Sequence, residues 1–241
     1  MLSLPNASLQ RRIGAPEGQL NDALSIETRT SLLARAQAHA ESEPSFGRFL
    51  EAAAEATDPE DLALHSPDVL EALWRSSYER LGKRDPAPHN VYFLPPADLG
   101  HPEIIEVFSN DMPFIVDSVL AAIRAKGGTI RFMSHPILVF DPATFRVLER
   151  PSVGTRQESF LHIHIDPLPD DEARRAMQRE IDDVMVEVAR TVRGWRPMLE
   201  RVQRIVQAWH DTPPKAPPAA VAEAMHFLGW LAEHSFTFLG M

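Results

Sequence analysis

The stretch "VFSNDMPFIVDSVLAAIRAKGGTI", residues 107–130, decides the fold, because it passes from a strand pattern directly into a helix pattern. Asn110 or Asp111 can accept hydrogen bonds from the first free amides of the helix, and Pro113 is tolerated in its opening turn. Gly127 can adopt the left-handed conformation that ends a helix. The apolar residues at helical spacing are Val116, Val119, Leu120 and Ile123. The stretch therefore predicts a strand followed by an amphipathic helix.

The segments on both sides of this stretch extend the order to strand, helix, strand, strand, helix over residues 103–193. Besides the helix already described, the elements are the strand 103–108, one bent strand or two in 129–140, the alternating strand 158–165 and a long helix that opens at 169–172. This order begins a ferredoxin-like βαββαβ sandwich, in which one antiparallel sheet carries two helices on one face. We predict that a short strand at 91–94 lies antiparallel beside 103–108 and takes the edge position of the absent fourth strand.

The predicted elements divide the chain into three parts. Residues 1–85 form an N-terminal helical segment, and residues 86–193 form the central sandwich. Residues 194–241 comprise a helical arm, a Pro-rich linker at 211–220 and, at 236–239, a strand that starts a truncated next domain. The predicted fold class is therefore α+β.

Composition and charge limit the possible partners and location. The formal net charge of −10 disfavours binding to nucleic acid. No apolar stretch reaches the ~18 residues that a membrane helix needs, and the first residues do not follow the pattern of a signal peptide. The absence of cysteine fits a reducing compartment. We therefore predict a cytoplasmic protein that binds neither nucleic acid nor membrane.

Four motifs carry a resemblance to a known family: "NDMPFIVDSV", "SHPILVF", "ESFLHIHID" and "FLGWLAEHSFTFLG". In this order they resemble the N-terminal region of the large bacterial NAD-specific glutamate dehydrogenases, and the resemblance covers residues 58–241. That region carries ACT-type regulatory domains, which are ferredoxin-like, and the dehydrogenase domain lies further along the polypeptide. The resemblance implies that residues 86–193 form an ACT-like sandwich. It also implies partners: the downstream catalytic domain of the same polypeptide, further subunits in a homo-oligomer, and an amino-acid effector.

The resemblance implies a regulatory and assembly module whose parent enzyme converts glutamate, NAD and water to 2-oxoglutarate, ammonium and NADH. The residues themselves show no catalytic centre, because no GxGxxG turn for NAD occurs and the lysines, Lys83, Lys126 and Lys215, lie at helix ends or in the linker. We therefore predict no catalytic residue and no cofactor in this segment, and NAD for the parent enzyme. The alternative is a stand-alone ACT-type amino-acid sensor or oligomerisation module.

The loop between the first strand and the first helix of the sandwich is the first candidate site. The resemblance implies that small amino acids bind there, and the positive end of a helix suits a carboxylate. The candidate residues are Asn110, Asp111, Met112, Pro113, Phe114 and Asp117. The usual family loop has Gly directly after Pro, whereas this chain has Phe114, whose ring fills the space or anchors the loop in the core. Amino-acid binding and structural packing or subunit contact stay open as alternatives.

The second candidate is "HIHID", where His162 and His164 share one face of a strand. Such a pair holds a metal if further ligands converge on it, and His135, Glu158 and Asp166 are the available partners. Imidazoles that face a helix or a neighbouring subunit need no metal. We therefore predict no metal and keep His162 and His164 only as candidates.

Overall fold

The computed structural model describes residues 17–95 and 102–232. Within them the helices are α1 (Glu17–Ser42), α2 (Pro44–Glu55), α3 (Pro59–Leu62), α4 (Pro67–Leu81), α5 (Ile115–Ala125), α6 (Asp171–Asp211) and α7 (Pro218–Trp230). The strands are β1 (His89–Leu94), β2 (Glu103–Asn110), β3 (Ile130–Ser134), β4 (Ile137–Asp141), β5 (Arg146–Leu148) and β6 (Arg156–Ile165). The predicted α+β class is confirmed. The strand expected at 236–239 lies outside the described residues.

The strands form one antiparallel sheet in the order β1-β2-β6-β4-β5, and β3 also pairs with β6. β3 and β4 are two strands separated by His135 and Pro136, and they pair with successive parts of β6. β1 pairs antiparallel with β2 along its whole length, so the predicted edge position is confirmed. The short strand β5, which extends the sheet beyond β4, was not predicted.

One face of the sheet, which we call the N-terminal face, packs against the N-terminal helices. Directly opposite residues share a face, so Phe108 and Phe160 point to the same side, and their rings stack at 4.7 Å. Phe49 of α2 reaches the ring of Phe160 at 5.4 Å. Large members of this core are Phe46, Phe49, Leu62, Leu70, Trp74, Phe108, Phe132, Phe140 and Phe160. The N-terminal helices thus cover this face of the sheet.

The opposite face of the sheet is also buried. Ile105, Leu161 and Ile163 on this face have no exposed surface. In the first turn of α6, Arg174 donates from Nε to Oε1 of Glu103 at 2.6 Å, which ties the start of the helix to β2. Because both faces are covered, several polar side chains of β2 and β6 lie in the interior, among them Glu106, His162 and His164.

Local signals explain the helix that carries part of the site. Ser66 caps α4, and its Oγ accepts a hydrogen bond from the Val69 amide at 3.4 Å. Pro67 occupies the first turn, and Leu70, Trp74 and Leu81 form the buried stripe. These signals fix α4 between its caps Ser66 and Gly82, within the N-terminal helical segment.

The described residues form two compact units, residues 17–95 and 102–111 with 120–180, and residues 112–119 with 181–232. α6 is continuous through Pro197 and across the boundary predicted at 193/194. The three predicted domain ranges stay predictions. No described helix has the length and apolar character that crossing a membrane requires.

Candidate functional site

Two histidines and one glutamate form a polar cluster inside the N-terminal face. His162 lies directly opposite Glu106 across the β2–β6 pair, and the side chains of both are fully buried. His164 follows two residues later on the same face and is 1 % exposed. Nδ1 of His162 lies 3.1 Å from Oε1 of Glu106, and Nε2 of His162 lies 2.9 Å from Nε2 of His164. The predicted common face of the two histidines is thus confirmed.

Helix α4 supplies the remaining donors to the Glu106 carboxylate. Ser77 donates from Oγ at 2.6 Å, and Arg80 donates from Nε and Nη2 at 2.6 and 2.7 Å. Burial alone would raise the pKa of the Glu106 carboxyl, but the hydrogen bonds from His162 and Arg80 outweigh it and lower the pKa to about 2. Glu106 is therefore an anion that joins α4, β2 and β6.

The Glu106 anion determines which ring nitrogens of the two imidazoles carry a hydrogen. A carboxylate accepts, so Nδ1 of His162 carries the hydrogen. We assign the hydrogen between the two rings to Nε2 of His164, which donates it to Nε2 of His162. This assignment leaves Nδ1 of His164 without a proton, and that atom has no hydrogen-bond partner among the described residues. The reverse assignment would bury an N–H without an acceptor, at a cost of about 1–3 kcal/mol.

His65 closes the cluster from the segment between α3 and α4. Its ring lies 4.9 Å from the ring of His164 and 5.3 Å from the ring of Phe132, edge to face in both cases. His65 is half-buried, whereas the other two histidines are inaccessible. Burial and then the neighbouring His162 lower the pKa of His65, and burial with its two histidine neighbours lowers the pKa of His164 to about 2.

The partners considered for a metal at His162 and His164 are engaged elsewhere. His135 bonds to Oγ of Ser159 at 2.8 Å, and Asp166 pairs with Arg131 at 2.6 Å. Glu158 is held by Arg84 and Arg156. Across residues 17–95 and 102–232, no group of three or more His, Cys, Asp or Glu side chains has the geometry of a metal site.

The first candidate loop divides between the two compact units. In the first unit, Asn110 is the exposed last residue of β2, and Asp111 donates its amide to the carbonyl of Gln157 at 2.9 Å. These contacts extend the sheet and involve only the backbone of Asp111. The side chain of Asp111 is half-buried.

In the second unit, Phe114 has a positive φ of 74°, and its carbonyl accepts from the Ser118 amide at 3.1 Å. The ring is 40 % exposed and is therefore not part of the hydrophobic core. Met112 is half-buried, and Pro113 and Asp117 are exposed. The backbone thus has the conformation that favours Gly, the residue of the usual family loop. Amino-acid binding at this loop stays a prediction.

A family model described as "Glutamate dehydrogenase, ACT1 domain" matches residues 49–181, which include β1–β6, α4 and the buried cluster. The chain belongs to this family. It is 28 % identical over 193 residues to the NAD-specific glutamate dehydrogenase of Halomonas elongata, covering 75 % of this chain and 12 % of that protein. With the enzyme of the same name from Pseudomonas aeruginosa, identity is 29 % over 142 residues, covering 56 % of this chain and 9 % of that protein. The chain thus spans about a tenth of the length of these relatives.

Sequence reasoning missed several residues of the cluster in this ACT1 domain. Glu106 was recognised only as part of a strand, and Arg80, Ser77 and His65 were not considered. One signal was present, since Glu106 lies inside the apolar run "EIIEVF" and a charged residue there requires a buried partner. Identifying that partner required the β2–β6 register, which the pattern alone does not supply.

The arrangement within the ACT1 domain suits structural coupling more than chemistry. Both oxygens of Glu106 are occupied by protein donors. His162 and His164 bond to each other and are closed from solvent. A substrate cannot reach these side chains while the fold is intact. The cluster therefore joins the N-terminal helices to the centre of the sheet.

Proposed function

We propose that this chain is a regulatory and assembly module of a large NAD-specific glutamate dehydrogenase and that it catalyses no reaction by itself. The parent enzyme would convert glutamate, NAD and water to 2-oxoglutarate, ammonium and NADH, with NAD bound outside this segment. The observation that carries the proposal is the match of the ACT1 family model across the whole sheet and helix α4. The self-contained bonding of the buried cluster also supports it, because those groups are used for cohesion.

Regulation by such a module requires two arrangements of the polypeptide that an effector binds with different affinity. We place the effector, a small amino acid, at the loop that contains Asn110–Phe114 and Asp117. Its partners would be the downstream catalytic domain and further subunits of a cytoplasmic homo-oligomer. Support for the loop comes from Phe114, whose positive φ stores about 1–3 kcal/mol of backbone strain, and strain of this kind is concentrated at functional sites.

The absence of catalysis is tested by comparing the purified chain with the full-length dehydrogenase in an assay of glutamate-dependent NADH formation. The full-length protein should form NADH, and the chain alone should form none above the rate of the buffer. Glutamate-dependent NADH formation by the 241 residues alone would overturn the proposal.

The context of the module is tested by immunoblotting lysates of the source cells with an antibody raised against the chain. A band from a polypeptide much larger than this chain would support the proposal that the chain is part of a dehydrogenase. A native band at 27.0 kDa would instead favour a stand-alone ACT-type sensor or oligomerisation module.

The effector loop is tested by thermal shift of the chain with a panel of amino acids. A ligand present at a hundredfold its Kd should add ~2.7 kcal/mol of stability. The substitution Asp117→Asn should abolish the shift, whereas Glu172→Gln, at an exposed acid in the first turn of α6, should retain it. Equal shifts in the two variants would place the effector elsewhere.

A further inference from the structure

The residues 63–66, here called the α3–α4 connection, lie over the outer part of the buried cluster. Asp61 of α3 accepts at Oδ2 from the amide of Met133 in β3 at 2.9 Å. Four residues later, His65 places its ring against His164 and Phe132. These contacts close the N-terminal face above β3 and β6.

A proton added to this part of the molecule has no counter-ion in the cluster. The charged groups packed around the histidines are Glu106 on β2 and Arg80 on α4, and these two already neutralise each other. β3 contributes the uncharged Phe132, and the carboxylate of Asp61 is held by the Met133 amide. A positive charge on any of the three imidazoles would therefore lie in the interior without compensation.

Access to solvent selects which imidazole takes the proton. His162 and His164 are enclosed, whereas His65 is half-buried and belongs to a short connection between two helices. A protonated His65 recovers its hydration by turning outward, which removes its ring from His164 and Phe132. That movement displaces the connection from β3, and the direction of the His65 pKa shift agrees, since the closed state holds the neutral ring.

We propose that His65 is a proton-operated latch: its neutral ring holds the α3–α4 connection closed over His164 and Phe132, and its protonation opens the connection and frees the Met133 amide. The latch operates within this chain and does not depend on the proposed role in a dehydrogenase. It gives the ACT1 domain two states that differ by one proton on a named side chain.

Amide hydrogen exchange followed by mass spectrometry tests the latch on the full chain at about pH 7.5 and about pH 5.5, which bracket the ordinary histidine pKa. Rates are corrected for the pH dependence of the chemical step. Peptides that contain residues 59–66 and 130–134 should exchange at least several-fold faster at the lower pH. A peptide from α2 that contains Phe46–Leu50 should keep its protection, which distinguishes local opening from global unfolding.

The matched variants are His65→Phe, which keeps a ring but cannot take a proton, and His210→Phe, at an exposed histidine on α6. His65→Phe should abolish the pH dependence in both peptides, and His210→Phe should leave it as in the unaltered chain. Retention of the pH dependence in His65→Phe would assign the opening to another titrating group and overturn the proposal. Equal exchange at the two pH values in the unaltered chain, or simultaneous loss of protection in α2, would also overturn it.

Discussion

Nε2 of His162 and Nε2 of His164 lie 2.9 Å apart in the interior, so one hydrogen bond joins two neighbouring imidazoles on the same strand face. The orientation of the His162 ring also depends on Glu106, which accepts a hydrogen bond from the other ring nitrogen, Nδ1. The hydrogen bonds therefore form a chain from Arg80 through Glu106 to the two histidines. Removal of Glu106 from this chain should lower the free energy of unfolding more than the loss of an exposed ion pair does.

Glu106→Gln should reduce the free energy of unfolding by about 3–5 kcal/mol, because it breaks a buried ion pair and leaves Arg80 without its counter-ion. Urea unfolding followed by circular dichroism measures this. The control is Asp166→Asn, which breaks an exposed pair with Arg131 and should cost less than about 1 kcal/mol. Equal losses in the two variants would contradict a special role for the buried cluster.

The stability of the chain should decrease as the pH falls below 6.5. His164 has its pKa lowered from 6.5 to about 2, so the unfolded chain binds a proton there in this range and the folded chain does not. One such group changes the free energy of unfolding by at most ~1.4 kcal/mol per pH unit. His65 and His135 act in the same direction, because burial also lowers their pKa values.

His164→Phe should therefore make the plot of unfolding free energy against pH shallower between about pH 6.5 and about pH 4.5. Below 4.5 a second decrease follows, because the pKa of Glu106 is lowered from 4.5 to about 2 and its ionised form is stabilised by folding. Urea titrations at a series of pH values measure both ranges. An unchanged slope in His164→Phe would show that this side chain is protonated in the folded state.

Gly128→Ala should destabilise the chain by about 1–3 kcal/mol through overpacking. A Cβ at this position would lie 2.6 Å from Cγ2 of Ile123 and 3.0 Å from Cε of Met177. The matched control is Gly82→Ala, where the nearest atom is 3.6 Å away and the backbone is helical, so the expected loss is close to zero. Thermal unfolding of both variants measures the difference, and similar melting temperatures would contradict the packing described around Gly128.

The variant Phe114→Gly should have a free energy of unfolding about 1 kcal/mol higher than that of Phe114→Ala, because the positive φ at this position penalises any residue with a Cβ. The opposite order is expected at Gly229 in α7. Apart from its chain neighbours and its own helix backbone, no atom of the described residues lies within 4 Å of an added Cβ there, so Ala should gain about 0.5 kcal/mol. Urea unfolding of Phe114→Gly, Phe114→Ala and Gly229→Ala measures both orders. The same preference for Ala at both positions would refute the strain at Phe114.

Much of the fold could be predicted because its signals are local. The break at Pro136 and the alternation around His162 define strands, and Ser66 and Gly82 define α4. The partners of Glu106 could not be predicted, because one of them, Arg80, lies on a helix 26 residues away in the chain. β5 was missed because three residues show no reliable alternation.

The candidate site illustrates the same limit. Sequence spacing placed His162 and His164 on one face correctly, since strand periodicity requires only neighbouring residues. The sequence pattern left Glu158 as a possible metal ligand beside the two histidines, because it does not show that Glu158 pairs with Arg84. The conformation of Phe114 was also not visible, since a positive φ at a non-glycine residue is imposed by its surroundings.

The Asp61 side chain and the Thr57–Ser134 bridge occupy the side of β3 that faces away from β6. An unpaired strand edge is a template for pairing with other molecules, and this edge is covered by that bridge and by the Asp61 carboxylate, whose pKa is raised by burial. Protonation of Asp61 weakens its hydrogen bond with the Met133 amide and therefore weakens the cover of this edge. Turbidity from intermolecular strand addition, rather than a clear solution of unfolded chains, is the end point expected when the protein is stored at low pH.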